Sequence, residues 1–270
     1  MSDSTIRLSL AQVTSSLDPD DNLATIEAQA HRAAAAGSSL VVFPEAMMRR
    51  FGAPLHEVAE PLDGRWAEAV RKIADGLGVT IVAGMFTPAD EARVRNTLLI
   101  TGPGVDAHYD KIHLFDAFGF AESDTVAPGE NPLTVTVGGL TVGFATCYDL
   151  RFPALFQKLG SLGAELIVVP ASWGSGPGKV EQWSLLTRAR ALDATAYVAA
   201  CGQADPTASG ETVTGSAPLG IGHSVVCSPS GEVVGSLGAA PELLTVDVSA
   251  SVVEEVRAKL PVLANRRIFD

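Results

Sequence analysis

The sequence contains little cysteine. Only three of its 270 residues are cysteines, Cys147, Cys201 and Cys227, and no two of them are spaced as C-x-x-C. Three cysteines cannot all pair with one another, and a zinc ribbon needs paired C-x-x-C motifs. A disulfide framework and a zinc ribbon are therefore both excluded as the basis of the fold.

Positive charge is also scarce. Nineteen lysines and arginines stand against 31 aspartates and glutamates, which gives a formal net charge of −12 at pH 7. Such a chain repels phosphate backbones and anionic lipid headgroups. We therefore expect no nucleic-acid partner and no membrane partner, although a small pocket can still be locally basic.

Long apolar runs and biased segments are missing as well. The longest apolar runs, such as 40–43 and 166–169, have the length of a strand, whereas a membrane-spanning helix needs about 20 apolar residues. The first four residues show no basic region followed by an apolar one, the pattern of a secretion signal. With 47% hydrophobic and 19% charged residues, the sequence predicts one globular, cytoplasmic domain over residues 1–270.

Short β-branched segments alternate with longer helical stretches along the chain. Helices are predicted over 22–36, 65–77 and 180–194, the first two ending at Gly37 and Gly78. Strands are predicted over 5–13, 39–43, 79–84, 96–100, 105–109, 133–137, 140–145, 164–169, 197–201, 223–227, 232–234 and 243–248. Strand–helix–strand units mixed with hairpins predict an α/β fold with layered sheets covered by helices.

A carboxylate follows the apolar strand that ends at Phe43-Pro44. Glu45 is thus predicted at the carboxyl end of a buried strand, where open α/β sheets bind their ligands. The alternative interpretation is an ordinary carboxylate in a loop.

An alternating apolar segment over 109–115 contains Lys111. If that segment is a strand, the ammonium is partly buried, and a buried charge without a partner is strongly unfavourable. We therefore expect Lys111 to contact a carboxylate or to serve a site. The alternative is a surface lysine that buries only its aliphatic stem. His113 is interpreted as a packed histidine beside Lys111.

Cys147 follows the apolar strand over 140–145 and precedes a turn that leads into a helix. This placement is similar to a nucleophile elbow, in which a sharp turn presents the nucleophile to a pocket. Backbone N–H groups of such a turn can face a developing oxyanion. The alternative, a core cysteine, is the interpretation for Cys201 and Cys227, because both lie inside strand-like segments.

A thiol, a carboxylate and a buried ammonium can together hydrolyse a carbon–nitrogen bond. Glu45 takes the proton of the Cys147 thiol, and the thiolate attacks a carbonyl carbon to form a thioester. Lys111 stabilises the negative charge on the tetrahedral oxygen. Glu45 then protonates the departing ammonia and later activates water against the thioester. This set predicts an amidase that needs no cofactor and no metal.

The three segments, in this order, resemble the Glu–Lys–Cys motifs of the nitrilase (carbon–nitrogen hydrolase) superfamily. The matching strings are FPE over 43–45, YDKIHLF over 109–115 and CYDLRFP over 147–153. Segments at 10–12, 188–192 and 228–233 are also similar to the family, so the resemblance covers nearly the whole chain. It implies a four-layer α-β-β-α sandwich and assembly into homodimers or larger homo-oligomers.

The resemblance adds two residues to the predicted site. The family commonly carries a second glutamate between the lysine and the cysteine, and Glu122 matches it. Its implied role is to hold Lys111 or to position substrate, the alternative being a solvated loop glutamate. The backbone N–H of Tyr148 is implied to join Lys111 in the oxyanion site.

The string over 147–153 looks most like the ω-amidase and deaminated-glutathione amidase branch, whose substrates are small amides that carry a carboxylate. Arg151 is expected either to bind that carboxylate through its planar guanidinium or to pair with an acid such as Asp149. The chain departs from the branch at Ala171-Ser172-Trp173 and in a longer loop over 174–183. Trp173 is expected to line the pocket, and both departures leave the acyl group open.

Other classes of protein fit less well. The segment over 174–179 departs from a phosphate-binding loop, since Trp173 replaces the first glycine and Val180 replaces the Ser/Thr. No G-x-S-x-G elbow occurs, no protease signature surrounds the cysteine, and the five histidines are dispersed. The alternatives that stay open are an N-carbamoyl amino acid hydrolase, a nitrilase, and a non-catalytic dimeric scaffold.

Overall fold

Two six-stranded sheets form the centre of the protein. The computed structural model describes residues 4–213 and 215–267. The first sheet has the order β14-β1-β2-β3-β4-β5. Its strands are β1 (Thr5–Gln12), β2 (Leu40–Val42), β3 (Thr80–Pro88), β4 (Val94–Gly102), β5 (Val105–Asp110) and β14 (Glu242–Ser249).

The second sheet repeats this arrangement with the order β13-β12-β11-β10-β9-β8. Its strands are β8 (Thr134–Val137), β9 (Leu140–Phe144), β10 (Leu166–Ala171), β11 (Tyr197–Gly202), β12 (Val225–Cys227) and β13 (Val233–Ser236). A two-stranded hairpin of β6 (Asp116–Ala117) and β7 (Phe120–Ala121) lies between the two halves in sequence. Strands β1, β2 and β3 are parallel to one another, and so are β9, β10 and β11.

In the part of the chain that the structure describes, six helices accompany the two sheets. They are α1 (Pro19–Ala35), α2 (Arg65–Leu77), α3 (Pro153–Ser161), α4 (Lys179–Ala194), α5 (Ala250–Lys259) and α6 (Val262–Asn265). The α1–α2 pair packs on the first sheet, and the α3–α4 pair packs on the second. Within the described ranges, no helix is long and apolar enough to cross a bilayer.

Successive side chains of a strand face opposite sides of its sheet, and this alternation produces the layers. In β2, Val41 belongs to the apolar cluster beneath α1 and α2, whereas Leu40 and Val42 belong to the cluster between the two sheets. In β10, Val168 faces the space between the sheets, and Ile167 packs against the α3–α4 layer. Each such fully buried aliphatic side chain contributes about 1.5–3 kcal/mol. The predicted four-layer α-β-β-α sandwich is confirmed.

Local signals explain where several helices and strands begin or end. Helix α2 has the predicted bounds, and Gly78 ends it in the left-handed region at φ 67°. Helix α1 begins three residues before the predicted Asn22, because Pro19 occupies the first helical position and the Asp18 carboxylate caps the Asp20 N–H at 2.9 Å. The strand predicted from His223 begins only at Val225, since His223 adopts φ 56°.

Strand direction brings several chain segments to one end of the sandwich. Strands β2, β3 and β5 run the same way in the first sheet, and the antiparallel β4 starts at the edge where they end, with Asn96 opposite Phe86. The ends of β9 and β10 in the second sheet meet this edge, because the Ser172 N–H after β10 donates to the Glu45 carboxylate after β2 at 2.8 Å. Residues that follow either set of strands therefore share one location.

The packing around this location predicts opposite effects for two glycine substitutions. A Cβ on Gly84 in β3 would lie 2.5 Å from the Ala46 nitrogen and 3.0 Å from the Glu45 Cα, whereas a Cβ on Gly76 in α2 would meet nothing within 4 Å. We expect Gly84→Ala to lower the free energy of unfolding by about 1–3 kcal/mol through overpacking. We expect Gly76→Ala to raise it by about 0.5–1 kcal/mol. Urea denaturation measures both, and a Gly84→Ala variant as stable as the wild type would contradict this packing.

Candidate active site

The Glu45 carboxylate is fully buried and held by three donors. Its Oε1 accepts from the Asn96 Nδ2 at 2.7 Å and from the Lys111 Nζ at 3.1 Å. Its Oε2 accepts from the backbone N–H of Ser172 at 2.8 Å. Glu45 is therefore a fixed group in a dry environment, and the interpretation as an ordinary loop carboxylate is wrong.

Lys111 directly follows β5 and is buried, with 3% of its surface exposed. Its Nζ donates to both oxygens of Glu122, each at 2.9 Å, and to Glu45 Oε1. Burial opposes the charge of the ammonium, but the Glu45 and Glu122 carboxylates outweigh it and hold the pKa of Lys111 well above its usual value. The expectation that this lysine contacts a carboxylate is confirmed.

Glu122 begins a short 3₁₀ turn, Glu122–Asp124, immediately after the β6–β7 hairpin. It is buried, and its Oε2 also accepts the backbone N–H of Phe115 at 2.7 Å. The hairpin brings the chain back beside its own start, since the Glu122 N–H donates to the Phe115 carbonyl. Glu122 is thus placed against Lys111, and it is not a solvated loop residue.

Cys147 begins a 3₁₀ turn, Cys147–Arg151, just beyond β9, and it adopts the left-handed φ of 46°. A non-glycine residue at positive φ is strained, and such strain is concentrated at functional sites. The residue is partly accessible. Loss of solvation around the sulfur and the neighbouring Glu45 carboxylate raise the pKa of the Cys147 thiol well above its usual value. The thiol is therefore protonated at neutral pH, and a base must take its proton before it can attack.

Asp149 joins the segment after β5 to the turn that carries Cys147. This carboxylate is fully buried, and its Oδ2 accepts the Tyr109 hydroxyl at 2.7 Å and the Thr146 N–H at 2.8 Å. Its Oδ1 contacts both the backbone N–H and the Nδ1 of His113, at 2.9 and 2.7 Å. Burial and the Asp149 charge raise the pKa of Tyr109 well above its usual value. Asp149 therefore links Tyr109 and His113, which flank Lys111, to Thr146, which precedes Cys147.

This contact rules out one of the two interpretations of Arg151. Asp149 is occupied by Tyr109 and His113, and the Arg151 Nη2 donates instead to the Gln182 Oε1 at 2.8 Å. Across the described ranges, Arg151 forms no ion pair. The alternative in which Arg151 pairs with Asp149 is wrong, because Asp149 points toward the β5 segment.

Arg151 belongs to a closed ring of contacts that we call the rim. Its members are aromatic or cationic: Phe115, Phe118, Lys179, Trp173, Arg151 and Tyr148. Two of them adjoin the polar cluster directly, since Tyr148 follows Cys147 and Trp173 follows Ser172. The rim therefore lies beside the thiol and the Glu45 carboxylate.

Contacts between neighbours close the rim. The Arg151 guanidinium lies 5.0 Å from the Trp173 ring centroid and 6.0 Å from that of Tyr148. Tyr148 meets Phe115 edge to face at 5.1 Å. On the other side, the Trp173 Nε1 donates to the Lys179 carbonyl at 3.2 Å, and the Lys179 ammonium lies 5.1 Å from the ring centroid of Phe118. Trp173 itself is buried, so the part-exposed Arg151 guanidinium lies over a fixed ring.

Asn96 is the residue of this cluster that sequence reasoning missed. It is buried at the start of β4, and its Nδ2 lies 2.7 Å from Glu45 Oε1 and 3.5 Å from Glu122 Oε1. A buried asparagine in a strand-like run gives no signal in the sequence. Only the pairing of β4 with β3 brings it to the carboxylates.

The remaining cysteines lie in the core, as predicted. Cys201 in β11 and Cys227 in β12 are both fully buried. Burial raises the pKa of Cys201 well above its usual value and that of Cys227 to about 11. Among the described residues, no group of three or more His, Cys, Asp or Glu side chains is arranged to hold a metal ion.

Comparison with known proteins now identifies the family. Residues 7–258 match the family model described as carbon-nitrogen hydrolase. The chain belongs to the carbon–nitrogen hydrolase family. It is therefore an enzyme that hydrolyses carbon–nitrogen bonds, and the predicted membership of the nitrilase superfamily is confirmed. This membership argues against the non-catalytic scaffold.

Individual relatives agree with the family. A hydrolase of Mycobacterium tuberculosis (strain ATCC 25618 / H37Rv) is 55% identical, over 98% of this chain and 96% of that protein. The deaminated glutathione amidase of Escherichia coli O157:H7 is 37% identical over 85% of each chain. The crystal structure of a carbon–nitrogen hydrolase superfamily protein from Xanthomonas campestris is 28% identical and superposes with a TM-score of 0.83, covering 100% of this chain and 99% of that one. The similarity supports amide hydrolysis as the general activity.

The raised pKa values of the buried thiols predict instability in alkali. Above pH 9, the usual pKa of a cysteine, the thiols of the unfolded chain lose their protons while the buried ones keep them. The unfolded state then binds fewer protons, so the free energy of unfolding falls as pH rises, by about 1.4 kcal/mol per pH unit for each such thiol. Urea denaturation between pH 8 and 11 measures this slope.

Cys201→Ala provides the control for this alkaline slope. Loss of the packing of the sulfur lowers stability by an amount that does not depend on pH, whereas loss of its ionisation removes one contribution to the alkaline slope. We expect the slope above pH 9 to become shallower by about 1.4 kcal/mol per pH unit. An unchanged slope would contradict the assignment of Cys201 as a thiol that stays protonated in the fold.

Proposed function

We propose that this enzyme is a cysteine amidase for small linear amides whose acyl part carries a carboxylate. The products are a carboxylic acid and ammonia, and the intermediate is a thioester on Cys147. The observation that carries the proposal is the buried cluster in which the Lys111 ammonium lies between the Glu45 and Glu122 carboxylates beside the Cys147 thiol. This cluster contains a nucleophile, a base and a cation, which are the groups that acyl transfer through a thioester requires.

Acylation begins with a proton transfer. Glu45 takes the Cys147 proton, the sulfur bonds to the amide carbon, and the carbonyl π pair moves to oxygen. Lys111 and the backbone N–H of Tyr148 stabilise that oxygen. The N–H of Tyr148 suits this role, because the first N–H groups of a helical turn have no carbonyl partner inside it.

The carbon–nitrogen bond then breaks. Glu45 returns its proton to the amide nitrogen, which leaves as ammonia, and Glu45 is again a carboxylate. In the second half of the reaction, Glu45 takes a proton from water, the hydroxide attacks the thioester carbon, and the thiol is released with that proton. Glu122 takes no part in these proton transfers and keeps Lys111 oriented through both of its oxygens.

The rim supports a substrate that carries a negative charge. Arg151 and Lys179 are cations without a carboxylate partner among the described residues, in a chain whose net charge is −12. A planar guanidinium is suited to bidentate binding of a carboxylate. Local positive charge also attracts anions from solution. A carboxylate-bearing acyl group agrees with the Escherichia coli relative, which is named for deaminated glutathione.

Replacement of the nucleophile tests the mechanism. We expect Cys147→Ala to reduce ammonia release by at least about 1,000-fold, because no other group in the cluster can form the thioester. The variant should keep the wild-type thermal midpoint within a few degrees, since it loses one partly accessible sulfur. Cys227→Ala, which removes a core sulfur, is the matched control and should retain turnover. Wild-type turnover in Cys147→Ala would disprove the mechanism.

Replacement of Arg151 tests the substrate class. The panel comprises α-ketoglutaramate, deaminated glutathione, an N-carbamoyl amino acid, a neutral aliphatic amide and a nitrile. We expect Arg151→Gln to raise KM for the carboxylate-bearing amides by about 10- to 100-fold, which corresponds to the loss of a charge-assisted hydrogen bond, and to leave the neutral amide unaffected.

The control for Arg151 is Arg65→Gln. Arg65 begins α2 and forms an exposed ion pair with Asp20 of α1, so this variant makes the same change in net charge away from the rim. It should leave every KM unchanged. Preference of the wild type for the neutral amide, with no effect of Arg151→Gln, would contradict the carboxylate and leave the Cys147 mechanism standing. Preference for the N-carbamoyl amino acid or the nitrile would favour those alternatives.

A further inference from the structure

The Asn96 side chain bridges the two carboxylates of the site. Its Nδ2 is 2.7 Å from Glu45 Oε1 and 3.5 Å from Glu122 Oε1, the same two oxygens that the Lys111 Nζ contacts at 3.1 and 2.9 Å. The backbone carbonyl of Asn96 also accepts the Lys111 N–H at 2.9 Å. One neutral donor and one charged donor thus hold the same pair of oxygens from two sides.

The orientation of this amide is fixed by chemistry. Ionised carboxylates only accept hydrogen bonds, so the NH₂ end of Asn96 must face Glu45 and Glu122. Its Oδ1 is buried and has no partner among the described residues. An unpaired buried acceptor is unfavourable, and a leucine at this position would avoid it. What favours asparagine over leucine here is therefore the contact of its Nδ2 with the two carboxylates.

The Lys111 ammonium contacts the two carboxylates from one side. Its Nζ lies 2.9 Å from both oxygens of Glu122, which one shared N–H can serve, and 3.1 Å from Glu45 Oε1. The contact to Glu45 is the one that weakens during acylation, because Glu45 loses its charge when it takes the thiol proton.

The hydrogen bonds of Glu45 also select the atom that receives this proton. Each carboxylate oxygen has two lone pairs. Among the described residues, Asn96 and Lys111 use both lone pairs of Oε1, and the Ser172 N–H uses one lone pair of Oε2. The Cys147 thiol also hydrogen-bonds Glu45, and the second lone pair of Oε2 is the one left for it.

We propose that Asn96 is a positioning residue that keeps Glu45 aimed at Cys147 while the contact between Lys111 and Glu45 weakens. The proton of the thiol moves to Glu45 Oε2, the sulfur–carbon bond forms, and the carbonyl π pair becomes the oxyanion that Lys111 stabilises. Asn96 and the Ser172 N–H continue to hold Glu45 until it protonates the leaving nitrogen. This role deepens the proposed function and rests on it.

Asn96→Leu tests the proposal, because leucine has nearly the same shape and no donor. Loss of a hydrogen bond to an ionised carboxylate disfavours that ionised form. The acidic limb of the pH profile of kcat/KM should therefore move to higher pH by about one unit. We expect kcat to fall about 10- to 100-fold with KM unchanged, because Asn96 does not touch the substrate.

A second readout does not depend on the substrate. Iodoacetamide alkylates Cys147 once its proton has moved to Glu45, and Cys201 and Cys227 are buried. The pH profile of this alkylation should show the same shift in Asn96→Leu. If no amide of the panel were hydrolysed, the proposed function would fail, yet the alkylation profile would still test the role of Asn96.

Two further variants complete the experiment. Asn96→Asp keeps the shape and adds a third carboxylate, so its acidic limb should move further than that of Asn96→Leu. Thr97→Val removes the buried hydroxyl of the next residue, which contacts Thr87 and Asp110 and neither glutamate, and it should leave the limb in place. A folded Asn96→Leu or Asn96→Asp variant with the wild-type limb would overturn the proposal.

Discussion

One ammonium among two carboxylates, away from water, is the constraint on which this site depends. Lys111, Glu45 and Glu122 are all buried, and with a neutral thiol their summed charge is −1. Burial of an unbalanced charge is strongly unfavourable. The excess is stabilised by uncharged donors, namely the amide of Asn96 and the backbone N–H groups of Ser172 and Phe115. The fold has to deliver each of these donors from a different segment.

The position of the nucleophile depends on a second buried carboxylate. Asp149 accepts bonds from Tyr109 and His113, which flank Lys111, and from the N–H of Thr146, which precedes Cys147. These contacts hold Cys147 at its positive φ, a conformation that costs about 1–3 kcal/mol. The lysine and the cysteine are thus placed relative to each other through Asp149 and not through contacts of their own.

Local sequence signals predicted much of this arrangement. The ends of apolar strands located Glu45 and Cys147, and the need of a buried ammonium for a partner located the contact of Lys111, while Glu122 came from family resemblance. Asn96 was missed because its contact depends on the antiparallel register with Phe86, which no local pattern encodes. The sequence left two interpretations of Arg151 open, and the structure excludes the pairing with Asp149, because the turn directs that carboxylate toward β5.

The predicted helix and strand bounds were likewise correct where a local signal exists and incomplete where it does not. Helix α2 was predicted fully, because Gly78 ends it by backbone conformation alone. Helix α5 was missed, since its first turn lacks acidic residues. The β6–β7 hairpin was missed as well, because each of its strands has only two residues. Tertiary contacts determine such elements, and they determine the part of the site that returns Glu122 to Lys111.

The reacting groups are divided between the two sheets: the Glu45, Lys111 and Asn96 side chains belong to the first, and Cys147 with the Ser172 N–H belongs to the second. The alignment of thiol and base therefore relies on the apolar interior between the sheets, through residues such as Val82 and Phe144. A small slippage of one sheet over the other separates nucleophile from base while each sheet keeps its own hydrogen bonds. The geometry of this site is therefore set by the packing between the two sheets as much as by the hydrogen bonds within either one.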